Sequence, residues 1–196
     1  MGSAPCSSST EHMCSQCTER ESTSELLDGS VISLRRLTPD DGDDVVSLYE
    51  ALSDEECYFR FFALHPAHLH TWARSITEGG DNRYALGAFD SDRLVGVANY
   101  VACTDPGYAE VAIVVAHSEH LRGVGTALLR RLGEIARRNG IHHFVADVLA
   151  ENHPMLRVLS DGGWPCTRHL EGSVMSIEID LDAIKASDEA RAASSG

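Results

Sequence analysis

One segment limits what this chain can fold into more than any other. Ala109-Glu110-Val111-Ala112-Ile113-Val114-Val115 is an apolar strand pattern. It is followed by His120-Leu121-Arg122-Gly123-Val124-Gly125-Thr126, and then by an amphipathic helix pattern from Gly123 to Asn139. Leu128, Leu129, Leu132 and Ile135 recur at helical spacing and make one apolar face, and Gly140 is placed to end the helix. Two glycines between a strand and a helix let the backbone turn tightly and approach a ligand. The helix start then aims unpaired N–H groups and its positive dipole end at that ligand, a geometry suited to a pyrophosphate. Two glycines at a helix start also serve packing alone, so the segment by itself leaves both readings open. It lacks the third glycine of a dinucleotide-binding fingerprint, where Leu128 stands, and it has no Gly-Lys-Ser/Thr of a P-loop.

The rest of the chain supplies a sheet for this unit. Val31 to Leu37 alternates as a strand. Thr38-Pro39-Asp40-Asp41 has the residues of a helix start and predicts a helix to about Leu52. Ser53-Asp54-Glu55-Glu56 opens a second helix toward Phe62, and Pro66 a third to about Thr77. After the turn Gly79-Gly80-Asp81-Asn82, the strands Tyr84–Phe89, Leu94–Cys103 and Tyr108–Ala116 are joined by short turns and predict an antiparallel meander. A strand at His143–Leu149, a helix from about Asn152 to Ser160, and strands near Trp164–Leu170 and Ser173–Leu181 complete the pattern. This order predicts a mixed α/β (α+β) fold, with a mostly antiparallel sheet of about seven strands flanked by helices. Residues 1–29, rich in Ser, Thr and Glu, are expected to be a disordered tail, 30–182 the folded domain, and 183–196 a second tail.

The formal charge of −14 argues against nucleic acid as a partner, because a nucleic-acid backbone calls for an extended positive surface. No apolar run is long enough to span a bilayer, and the first residues do not read as a signal peptide. A soluble, cytoplasmic protein without membrane association is expected. Cys14-Ser-Gln-Cys17 with His12 has metal-like spacing but lacks the second close pair that a structural zinc site needs, and His65, His68 and His70, which also have spacings open to a metal, are read as surface residues near the third helix. Reduced thiols and no metal are expected. His142 and His143 read as surface or packing residues. Arg130, Arg131, Arg137 and Arg138 read as the solvated face of the long helix, and Tyr58, Phe59, Phe61 and Phe62 as core.

His120-x-x-Gly123-x-Gly125 resembles the acyl-CoA motif of the GNAT superfamily of N-acetyltransferases. Glu151-Asn152-His153-Pro154-Met155-Leu156 with Gly163-Trp164 is similar to its second block. Together with Leu34-Arg35-Arg36-Leu37 and Tyr58-Phe59-Arg60-Phe61-Phe62, the chain resembles the catalytic domains of bacterial Pat-type protein lysine acetyltransferases. Some of these carry a fused regulatory domain, and none is expected within these 196 residues. The resemblance implies the GNAT fold, acetyl-CoA as co-substrate, and an acceptor lysine on a protein such as an acyl-CoA synthetase. It implies Glu110 as general base, acting directly or through water. Ile113 and Val115 would offer backbone groups to the pantetheine arm, and Ile113 or Val114 an N–H to the thioester carbonyl. The loop Leu121, Arg122, Gly123, Val124, Gly125 and Thr126 would hold the pyrophosphate. Asn152 would bind pantetheine or cap its helix.

An ordinary carboxylate, with a pKa of about 4.3, is a weak base for an ammonium group, so burial of Glu110 is expected. Two positions depart from the family pattern: His120 replaces Gln or Arg, and Leu159 replaces a thiolate-protonating Tyr. A small-molecule amine as acceptor, and a catalytically silent CoA-binding module, are the alternative functions. A monomer or a homodimer fits either.

Overall fold

The period-two segments become strands of a single eight-stranded sheet in a computed structural model that describes residues 21–61, 68–162 and 165–183. The chain runs β1 (Ser22–Glu25), β2 (Val31–Arg36), a 3-10 turn at Pro39–Asp41, α1 (Gly42–Glu50), α2 (Asp54–Phe61) and α3 (Leu69–Glu78). It continues through β3 (Arg83–Asp90), β4 (Arg93–Ala102), β5 (Tyr108–Val115), a 3-10 turn at His117–Glu119 and α4 (Val124–Arg138). It ends with β6 (His143–Leu149), α5 (His153–Gly162), β7 (Cys166–Glu171) and β8 (Val174–Asp180). The strand order is β1-β2-β3-β4-β5-β6-β8-β7, and every pairing is antiparallel except β5 with β6. The single parallel pair is the one that α4 connects, as expected for a strand–helix–strand unit.

The helix reading from Thr38 to Leu52 is met by two elements. The Thr38 N–H and hydroxyl both donate to Asp41 Oδ2, at 2.7 and 2.9 Å, and Arg35 grips the same carboxylate in a two-pronged pair at 2.7 and 2.9 Å. These bonds tighten the first turn to 3-10 before α1 starts. Burial pushes the Asp41 carboxyl up, but Arg35 and Thr38 together outweigh it and hold the group below its ordinary value.

Two apolar layers sandwich the sheet. Leu128, Leu132 and Ile135 of α4 are buried against Phe144, Leu159 and Ile179. On the other face Val45 and Tyr49 of α1 and Ile76 of α3 pack with Val97 and Val114. Phe61 meets Tyr49 and Trp72, each at 5.5 Å between ring centres, whereas Tyr58 is exposed. The aromatic run of α2 is therefore only partly core. Phe62, His65, Trp164, Cys14 and Cys17 lie outside the described residues. Among the described residues no helix is long and apolar enough to cross a membrane.

The eighth strand corrects the reading of residues 1–29 as a tail, for its described part. Ser22 to Glu25 pairs with Leu34 to Val31, Leu26 is buried, and its N–H bonds the Ser30 carbonyl at 2.8 Å. Composition misses this strand because an edge strand needs backbone partners more than apolar side chains. A variant beginning at residue 30 should therefore be less stable than one beginning at residue 21 by about 2–4 kcal/mol, mainly from lost Leu26 burial. Urea midpoints of the two proteins measure it, and equal midpoints would contradict the pairing.

Candidate active site

The parallel pair is short. Tyr108, Ala109 and Glu110 of β5 lie opposite His143, Phe144 and Val145 of β6. Beyond that point β5 stays paired with β4 out to Val115, and β6 stays paired with β8 out to Leu149. The two strands part, and a cleft of about 1110 Å³ opens between them. Its walls are Glu110 to Val115, the loop at 120–126 apart from Arg122, one side of α4, Ala146 to Val148 and α5, and it extends to the segment Ser22 to Leu27 and to α2. Glu110, Ile113, Val115, Leu121, Gly123, Val124, Gly125, Thr126 and Asn152 all line it.

Glu110 is the last paired residue before the fork. Its neighbours Ala109 and Val111 are buried on the α4 face, so strand alternation puts Glu110 on the opposite face, where it is exposed. The expected burial of this carboxylate is thus corrected. The fork that opens the cleft also opens Glu110 to solvent.

The loop is built around Arg122 and Gly123. Gly123 has φ of 96° and precedes α4, and Leu121 also takes a left-handed φ of 66°. The first helical bond runs from Ala127 N–H to Gly123 C=O at 3.0 Å, which leaves the N–H groups of Val124, Gly125 and Thr126 ahead of the ladder. Arg122 differs from expectation. Its N–H points toward the Glu119 carbonyl at 3.5 Å, and its guanidinium turns away from the cleft to pair with Glu119, with Asp28 at 2.7 Å and with Ser30 at 2.7 Å. Two bonds from Ser30 and one from Arg122 hold the Asp28 carboxyl down at about 2. The Leu27 N–H bonds the Arg122 carbonyl at 3.0 Å, so the segment after β1 straps the loop.

Gly125 also has a packing role. A Cβ there would come within 3.1 Å of Val158 on α5, so this glycine lets α4 and α5 approach. Asn152 Oδ1 accepts the Met155 N–H at 3.0 Å, which is the capping alternative of its two readings. Leu159 is buried in the core and offers no proton to a thiolate.

A cluster that the sequence did not disclose stands at the mouth of the cleft. Glu56 of α2, His117 of the 3-10 turn and His120 of the loop come together there. Glu56 Oε1 lies 3.0 Å from His117 Nδ1 and 3.5 Å from His120 Nε2, and the latter donates to the Val115 carbonyl at 3.1 Å. Glu56 Oε2 accepts the Ser53 N–H and hydroxyl at 2.8 and 2.9 Å. Burial raises the Glu56 carboxyl, but the bonds from Ser53 and His117 outweigh it and hold the group low. Only the Ser53-x-x-Glu56 capping box and the three-residue step from His117 to His120 were visible beforehand. The separation of 61 positions between Glu56 and His117 hid the rest. Arg130 and Arg131, read as solvated, also border the cleft.

A sheet forked after its central strand, with a glycine loop and helix start facing the fork, is the GNAT architecture of an acyl-group transferase. A model of the Acetyltransferase (GNAT) family matches residues 43–162, and the chain belongs to that family as an acetyltransferase. It is 29% identical over 135 residues to an acetyltransferase of Pseudomonas aeruginosa, an overlap of 66% of this chain and 73% of that protein. It is 32% identical to the GNAT domain of S. lividans PAT, with a TM-score of 0.73 over 82% of this chain and 96% of that one. The fold also matches PaiA N-acetyltransferase from Thermoplasma acidophilum in complex with coenzyme A, at 16% identity and a TM-score of 0.56, covering 76% of this chain and 98% of that one.

Glu119 is the buried anchor of the loop, pairing with Arg122 and with Arg93 at 2.7 Å. Burial raises its carboxyl, but Arg93, Ser118 and Arg122 outweigh burial and lower it. A lowered carboxylate stabilises the fold above its unfolded pKa, and that contribution is lost as pH falls through the folded value. Glu119→Gln should cost about 2 kcal/mol at pH 7. The deficit should begin to shrink as pH falls below the ordinary carboxylate value of about 4.3 and vanish once pH passes through the lowered folded value. Denaturation midpoints across pH measure this, and a pH-independent deficit would contradict it.

Proposed function

We propose that the cleft binds acetyl-CoA and that the protein transfers the acetyl group to the side-chain amine of a lysine on a protein acceptor, with Glu110 as general base. The observation that carries this reading is the position of Glu110 at the fork, between the open strand edge and the glycine loop. The pantetheine arm lies along β5, taking backbone groups of Ile113 and Val115 as an added strand would. The pyrophosphate meets the N–H groups of Gly123 through Thr126 at the positive end of α4. Arg122 serves by fixing the loop from behind, and Arg130 supplies countercharge to the phosphates at the cleft wall, where Arg131 is paired with Glu134 at 2.8 Å.

The acceptor amine attacks the thioester carbonyl. A C–N bond forms, the developing oxyanion takes an N–H from Ile113, since the ladder phase turns Val114 toward Val97 of β4 and removes it as the alternative donor, and collapse breaks the C–S bond to expel CoA thiolate. A free lysine, with a pKa of about 10.4, must lose a proton for its lone pair to attack. Glu110 takes that proton. Its exposure favours transfer through a bridging water, and water also protonates the thiolate, since Leu159 cannot. Glu55, Glu56, Glu110 and Asp147 make the mouth of the cleft acidic, which suits a cationic acceptor. The Pat-type motifs and the likeness to the GNAT domain of S. lividans PAT favour a protein lysine, such as one on an acyl-CoA synthetase, over a small amine. A cytoplasmic location and a monomer or homodimer accord with this.

Glu110→Gln keeps nearly the same shape. It should bind acetyl-CoA normally but slow transfer roughly 100-fold. Raising the pH should rescue the variant more than the wild type, because more acceptor is then already neutral. Labelled acetyl-CoA incubated with a lysate, with protein and small-molecule label counted apart, gives the rate and the acceptor class. Label in protein is expected. Label confined to small molecules would replace the acceptor, no label at all would point to a silent module, and superimposable pH–rate profiles of the two proteins would remove Glu110 from the mechanism.

A further inference from the structure

We infer that Glu56, His117 and His120 form a binding site for one divalent transition-metal ion of the zinc type. Zinc bonds to nitrogen and oxygen of about 2.0–2.1 Å set ligand-to-ligand edges of about 3.3 Å in a tetrahedron. Two of the three edges here, 3.0 and 3.5 Å, bracket that length, and all three ligand atoms lie within 4.8 Å of one another. A two-histidine, one-carboxylate set suits zinc, cobalt or nickel better than calcium or magnesium, which take oxygen ligands.

The carboxylate is also pre-oriented, as ligands of metal sites are. Ser53 holds Oε2 through two hydrogen bonds, which turns Oε1 toward both imidazoles. His117 is 81% exposed and gives an ion a path from solvent, while the less exposed His120 lines the cleft wall. Binding needs His120 Nε2 to leave the Val115 carbonyl, and a small rotation of the exposed His117 closes the third edge. The fourth coordination position is left for water. An ion there ties α2 to the turn that leads into the glycine loop, so its occupancy stabilises the junction of these two elements. This inference is independent of the acceptor and of the role of Glu110.

The test uses untagged full-length protein freed of metal by a chelator. Zinc is titrated by calorimetry and cobalt by visible absorption, with melting temperature as a further readout. The wild type should take one ion per chain, show a cobalt spectrum without a thiolate charge-transfer band, and melt higher with the ion than without it. Glu56→Gln and His117→Ala should each weaken binding at least about tenfold, while a Cys14→Ser/Cys17→Ser variant should bind as the wild type does. His117 is exposed, so its alanine variant leaves the fold intact and its affinity reads the site alone. Unchanged affinity in Glu56→Gln and His117→Ala, or loss of the ion in the cysteine variant, would overturn the assignment.

Discussion

The site depends on the place where the β5–β6 ladder stops. Backbone N–H and C=O groups left unpaired inside a protein are costly, so sheets rarely open without a purpose. Here each strand keeps its outer partner while the inner pairing ends at Glu110 and Val145. The open inner edge of β5 is thus held rigid by β4, and an extended ligand arm can complete it as an added strand would. The position of Glu110, the shape of the cleft and the direction of α4 all follow from that fork.

The glycine loop is held in place by an ion-pair network centred on Glu119 and Arg122. Glu119 sits buried beneath it, Arg93 and Arg122 close on Glu119, and Asp28 and Ser30 reach from the strap after β1 to the far side of the Arg122 guanidinium. This arrangement occupies the Arg122 guanidinium and leaves the first N–H groups of α4 ahead of the helix ladder. It also links the amino-terminal edge strand to the site, since Leu27 and Asp28 both bond Arg122.

Much of this was legible from local pattern. The apolar face of α4, the Gly123–Gly125 loop, the meander from Tyr84 to Val115 and the strand–helix–strand unit are all signals within short windows. The cleft-lining positions from Glu110 to Thr126 followed from the same segment. What escaped depends on long-range contacts. β1 carries no apolar signature because its ladder to β2 is made of backbone. The outward turn of Arg122 is set by Asp28 and Ser30, more than ninety residues earlier. The meeting of Glu56 with His117 and His120 needs the packing of α2 beside β5. The expected burial of Glu110 failed for a different reason: alternation settles which face a strand residue occupies, but not whether a helix covers that face.

Amide hydrogen exchange with and without acetyl-CoA tests the central claim most directly, because it reads the strand edge and the loop separately. The account predicts added protection confined to residues 111–115 of β5 and to residues 123–126 at the start of α4, with little change in β2, β3 or β7. Protection absent from both segments, or concentrated on the α1–α3 face of the sheet, would contradict a cofactor seated in the fork.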